Sequence, residues 1–133
     1  MGPVVVDASV LLGFLDPQDV HHGASVRALR SARSGGRQIV LPASALAEVL
    51  VGASRLGPEA VKRTEAFVDA VVDRVQPIDR EVARVAAALR AGHRSLRLPD
   101  ALVLAVGRVI EASATVTADV RWRKVDRRVQ VVR

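Results

Sequence analysis

Apolar residues fall in short runs and helical stripes along this chain, punctuated by glycine, proline and isolated acids. Val4–Val6 is an apolar run that ends at Asp7, and Ala8 to Leu15 behind it reads as a helix broken by Pro17. A second helix is expected over Val20 to Ala32, closed by Ser34-Gly35-Gly36. Ile39–Leu41 reads as a strand stopped by Pro42, after which Ser44 is placed to cap a helix reaching Leu56. Gly57-Pro58 separates that helix from a third, Glu59 to Val72, and Val75–Ile78 reads as a strand. Asp79 opens another helix, which runs to Ala91 and stops at Gly92. Pro99 sits in the first turn of a helix ending near Glu111. Ala114–Thr117 and Val129–Val132 read as the last two strands.

Strands alternating with helices predict an α/β fold: a three-layer sandwich with a mainly parallel sheet of four to five strands between helices. At 133 residues the chain has the length of one domain, 1–133, and shows no internal repeat or linker. Parallel sheets of this kind place ligands at the carboxyl ends of their strands. Two acids lie at such ends: Asp7, and Asp119 two residues beyond Thr117.

Composition narrows the chemistry. Half of the residues are hydrophobic, and the core is aliphatic, because Phe14, Phe67 and Trp122 are the only aromatics. The absence of cysteine excludes disulfides, zinc–thiolate and iron–sulfur sites, and thiol nucleophiles. No apolar run is long enough for a membrane span, and no secretory signal precedes Asp7, so a cytoplasmic protein is expected. The net charge is +6, and eighteen of the twenty basic residues are arginine. Arginine forks onto phosphate, which points to a polyanionic partner; GC-biased codon usage explains the same bias equally well.

The placement of the acids decides between these readings. Singly, Asp7 reads as a helix cap, Asp100 as a first-turn acid and Asp119 as a turn residue. Glu48 stands in Ala45-Leu46-Ala47-Glu48-Val49-Leu50-Val51 with no Lys or Arg within four positions. Asp100, in Leu98-Pro99-Asp100-Ala101-Leu102, has only Arg97 nearby. Both helices read as buried on several sides, and a buried unpaired carboxylate is costly. A divalent cation is the economical partner for several converging carboxylates.

The ordered set Val-Val-Val-Asp7-Ala8-Ser9, Glu48, Leu98-Pro99-Asp100-Ala101-Leu102 and Thr117-Ala118-Asp119 resembles the PIN-domain family, and within it the small VapC-type toxins of toxin–antitoxin pairs. The resemblance runs from the first strand to the last. It implies an endoribonuclease dependent on Mg2+ or Mn2+, a homodimer, restrained by a cognate VapB-type antitoxin that lies in an apolar groove between helices. Asp7 and Asp100 would be the principal metal ligands, with Glu48 and Asp119 completing the pocket directly or through water. Ser9 and Thr117 would support them. The chain departs from relatives that carry a further acid before an aromatic, because here Arg121 precedes Trp122.

A basic surround suits such a pocket. Arg94 and Arg97 are placed to contact an RNA backbone, as are Arg121 and Arg123, although the segment Arg121–Arg128 reads equally as a solvated face or a dimer contact. With so few aromatics, substrate choice rests on RNA shape and arginine contacts more than on base stacking. His21, His22, His93, Asp16 and Asp19 read as turn or helix-end residues. Two rivals remain at this stage: a non-catalytic RNA- or partner-binding module on the same fold, and a phosphotransfer domain using Asp7. The second lacks a neighbouring acid at position 9 and a lysine at a strand end.

Overall fold

A computed structural model describes residues 2–133. The elements in chain order are β1 (Val4–Val6), α1 (Ala8–Leu15), α2 (His22–Ser34), β2 (Ile39–Pro42), α3 (Ala43–Leu56) and α4 (Pro58–Val71). They continue with β3 (Arg74–Gln76), α5 (Arg80–Gly92), α6 (Leu98–Val109), β4 (Ala114–Thr117) and, after a short 3-10 turn over Val120–Lys124, β5 (Val129–Val131).

The five strands form one all-parallel sheet in the order β3-β2-β1-β4-β5. Every residue of β1, β2 and β4 is buried, which is why β1 and β2 read as unbroken apolar runs; β4, Ala-Thr-Val-Thr, buries two threonines as well. The chain lays β2 and β3 on one side of β1, then returns to add β4 and β5 on the other. Right-handed crossovers put α1 to α4 on one face and α5 and α6 on the opposite face. The direction reverses between β1 and β4, and an open α/β sheet holds its binding crevice at the carboxyl ends of the strands at that point.

Most element boundaries fall where the sequence pattern sets them. The second helix begins at His22, two residues later than the pattern suggests, and Val20 is 89% exposed. Asp16 and Asp19 make turns there, accepting from the backbone N–H groups of Gln18 and His21. Ser44 is not a cap: Pro42 extends β2 and the chain enters α3 directly, leaving the Ser44 hydroxyl buried without a partner. Asp79 does cap α5, accepting from the N–H of Val82 at 3.0 Å. The 3-10 turn at Val120–Lys124 has no apolar periodicity to announce it.

Helix α6 carries the longest buried stripe, from Ala101 through Val103–Gly107. It seats on β4 at Gly107, where a Cβ would come within 2.5 Å of Thr115 Oγ1. Thr115 is buried and stiff about χ1, so it has little room to yield. Gly107→Ala is therefore expected to destabilise the fold by roughly 1–3 kcal/mol through overpacking. A urea unfolding midpoint measures this, and Thr115→Ala in the same chain should recover part of the loss.

Candidate active site

Asp7 follows β1 directly and is the cap of α1, so one carboxylate does two jobs. Its Oδ1 accepts from the N–H of Ala8 at 2.8 Å, while Oδ2 accepts from Ser9 Oγ at 2.8 Å and Thr117 Oγ1 at 2.9 Å. Each hydroxyl also accepts a backbone N–H from the far strand end: Ser9 from Ala118 at 3.1 Å and Thr117 from Asp119 at 3.1 Å. The carboxyl ends of β1 and β4 are thereby tied together through Asp7. Asp7 is buried, and that desolvation outweighs its three donors, raising its pKa above the ordinary carboxylate value.

Asp7, Glu48, Asp100 and Asp119 line one open cavity of about 360 Å³, together with Ala8, Ser9, Leu12, Arg97, Ala118 and Trp122. Helix α3 packs against both α1 and α6, which carries Glu48 to the cavity that Asp7 and Asp100 also line. The expectation that Glu48 lies on a helix buried on several sides is corrected here. Helix α3 buries only Ala45 and Val49, and Glu48 is exposed at the cavity wall. Its apolar neighbours in sequence made the helix look more enclosed than it is. Partial desolvation and the charges of Asp7 and Asp100 still raise its pKa.

Asp100 opens α6 and is largely shielded from water. Its nearest cation is Arg97, whose Nε lies 3.8 Å away on a side chain that is 77% exposed, too long and too wet to neutralise it. Desolvation accordingly raises the Asp100 pKa, only partly offset by Arg97, with Asp7 and Asp119 raising it further.

Asp119 behaves in the opposite way. It caps the 3-10 turn through the N–H of Arg121 at 2.9 Å and grips the Arg121 guanidinium with both oxygens, the shortest contact being 2.6 Å. Those hydrogen bonds hold its pKa below the ordinary value. The cavity thus has three carboxylates short of positive charge and one already paired.

The remaining candidates divide. Arg97 lines the cavity, and Arg121 lines a smaller recess that shares Asp100, Asp119 and Trp122 with it. Arg94 and Arg123 are exposed and line neither. His22 and His93 bond through Nδ1 to the carbonyl groups of Gly13 and Leu89. The sequence reading missed Leu12 and Trp122 as wall residues; Leu12 is one helical turn from Ala8, the only signal that would have placed it.

The donor set suits a hard, oxygen-preferring cation. Asp7 Oδ1 keeps a free lone pair, and Asp100 makes no hydrogen bond. Among the described residues no group of three or more acidic or histidine side chains is arranged to hold a metal ion by itself. Mg2+ typically takes one or two carboxylates and keeps several waters, so a site with few direct protein ligands suits it. No helix among the described residues is long and apolar enough to cross a membrane.

Comparison with known families matches the PIN domain over residues 4–128. Comparison with curated proteins gives no match. Among solved structures, a toxin–antitoxin complex from Klebsiella pneumoniae superimposes with a TM-score of 0.79 at 20% identity, covering 96% of each chain. The Sarcin-Ricin loop cleaving toxin of Mycobacterium tuberculosis gives 0.66 at 21% identity, over 84% of this chain and 86% of that one. A VapBC complex of Rickettsia felis bound to promoter DNA gives 0.75 at 12% identity over 100% of both. At these identities the likeness shows a shared fold.

Crowded carboxylates carry a cost that can be measured. An acid whose pKa is raised by folding holds more protons folded than unfolded, so stability falls as pH climbs from 3.8 through the raised value. Asp100→Asn removes the charge and keeps the shape. In chelator at neutral pH it is expected to raise the melting temperature by about 2 °C. Differential scanning calorimetry should show the advantage shrinking to nothing as the pH is lowered towards 3.8. A variant equal to wild type at pH 7 would mean Asp100 bears no such strain.

Proposed function

Because the chain belongs to the PIN domain family, we propose that it is an endoribonuclease of the VapC toxin type, hydrolysing RNA phosphodiester bonds with the help of Mg2+ or Mn2+. The observation that carries this reading is the trio of Asp7, Glu48 and Asp100 facing one cavity with raised pKa values, the exposed Arg97 at 3.8 Å from Asp100 being too weak a partner to offset their burial. A core built for stability alone would avoid that arrangement. One relative of the same fold is a toxin that cleaves an RNA loop, and others are complexes with antitoxins.

Asp7 and Asp100 would hold the cation, with Glu48 reaching it through water. When bound, the ion makes water a better nucleophile and withdraws charge from the phosphoryl oxygens. Ser9 and Thr117 hold Oδ2 of the Asp7 carboxylate, leaving Oδ1 with the single N–H of Ala8. Glu48 stands exposed at the wall, where it takes the proton of the attacking water as general base; its raised pKa brings it nearer to neutrality. Arg97, free of any close ion pair, meets the RNA backbone beside Asp100.

The partner in this reading is a VapB-type antitoxin, and the toxin is a homodimer. A second, largely apolar groove of about 450 Å³ fits an amphipathic antitoxin segment. Phe14, Val26, Leu29 and Val71 lie within it and Arg30 and Arg33 stand at its border, while the 59% exposed Phe67 lies on the adjoining surface.

Purified protein with Mg2+ or Mn2+ is expected to cleave RNA, and Asp7→Asn should lower the rate by at least about a hundredfold with an unchanged circular dichroism spectrum. Excess chelator should do the same to wild type and added Mn2+ should reverse it. Full cleavage in chelator or by the variant would end the metal-dependent mechanism. RNA binding with either ion and no cleavage would favour the non-catalytic module.

A further inference from the structure

Asp119 is the one acid of the cavity whose oxygens are already hydrogen-bonded to a cation. Oδ1 accepts the Arg121 backbone N–H at 2.9 Å and Nε at 3.0 Å, while Oδ2 accepts Nη2 at 2.6 Å and shares Nε at 3.2 Å. A cation taking Asp119 as a ligand would have to dislodge this fork. The guanidinium, by contrast, spends only part of its capacity: Nη1 has no protein partner among the described residues, and the side chain remains 69% exposed.

We propose that Asp119 is a positioning residue that holds Arg121 at the mouth of the acid-lined cavity, where the free edge of the guanidinium receives a phosphate of the RNA backbone. This rests on the nuclease reading above and alters one part of it, since the fourth acid then serves the substrate instead of the ion.

Three observations support the assignment. The 3-10 turn fixes where Arg121 starts, because its first N–H is bonded to the Asp119 side chain and Trp122, 2% exposed, is sunk into the core immediately after it. Arg121 lines the recess that shares Asp100, Asp119 and Trp122 with the main cavity, so it lies beside the acids that would hold the ion. Trp122, the residue after Arg121, lines both spaces and joins them. An arginine held by a carboxylate loses less freedom on meeting phosphate than a loose one, and its fork suits that ligand. The lowered pKa of Asp119 agrees with a carboxylate that stays charged to keep its grip.

The test separates holding an ion from holding an arginine. Asparagine caps a turn as well as aspartate does, so Asp119→Asn weakens the grip, losing its charge and one acceptor oxygen, and spares the turn. By calorimetric titration with Mn2+ alone, Asp119→Asn is expected to stay within about threefold of wild type, while Asp100→Asn loses at least about tenfold. With a single-stranded RNA oligonucleotide in chelator, Arg121→Ala should weaken binding about tenfold and lower the slope of log affinity against log salt by about 0.7. In cleavage assays Asp119→Asn should reduce kcat/KM about tenfold, mainly through KM, and by less than about twofold when Arg121 is already alanine. Loss of Mn2+ binding in Asp119→Asn comparable to that in Asp100→Asn overturns the assignment, as does an Arg121→Ala variant with wild-type RNA affinity and salt slope. Either result leaves the nuclease standing if wild type still cleaves. A wild-type protein that neither binds nor cleaves RNA removes both.

Discussion

A carboxylate taken out of water must be compensated, and Asp7 is compensated only in part. Three donors from two strand ends reach it, yet burial still dominates its titration. The same hydroxyls that satisfy Asp7 also accept the N–H groups of Ala118 and Asp119, so the acid doubles as a fastener between β1 and β4. Because the sheet changes direction at that pair of strands, the fastener sits where the crevice opens. Glu48 and Asp100 then arrive from two helices, and each adds charge that the others resist. The site is therefore the part of the molecule that ion binding would most relieve.

Much of this was legible in the sequence, for physical reasons. Doubly covered parallel strands run apolar, so Val4–Val6 declared itself to the residue, while Ala114–Thr117 showed through the β-branched Thr115, Val116 and Thr117. Proline and glycine marked the helix breaks at Gly57-Pro58 and Gly92. Asp7 and Asp119 could be placed together because both follow strand ends, which share one edge in an α/β fold, whereas Glu48 and Asp100 were joined to them through the family resemblance. What escaped was set by packing or by local hydrogen bonding. The exposure of Glu48 depends on how little of α3 its neighbours cover, which no window of sequence reports. The start of α2 at His22 follows from carboxylate turns at Asp16 and Asp19.

The pairing of Asp119 with Arg121 was the least visible feature, although the two residues are only two positions apart. Alternate positions do not face each other on an α-helix, so the spacing suggested no contact. The 3-10 turn changes that geometry, and Asp119 caps it from the residue before its first. Four acids that look alike in sequence thus separate into three that compete for positive charge and one that already has it.

Gly107 has a bearing on the site from the other end of α6. Asp100 lies seven residues away along that helix, about 10 Å by the rise per residue, and Thr117 lies two residues beyond the Thr115 that Gly107 touches. Helix and strand are locked at a distance that only a missing side chain permits. The spacing of α6 from the strand that bonds Asp7 is therefore set by the scaffold, so a single methyl group added at the far end of the helix would re-space two walls of the cavity.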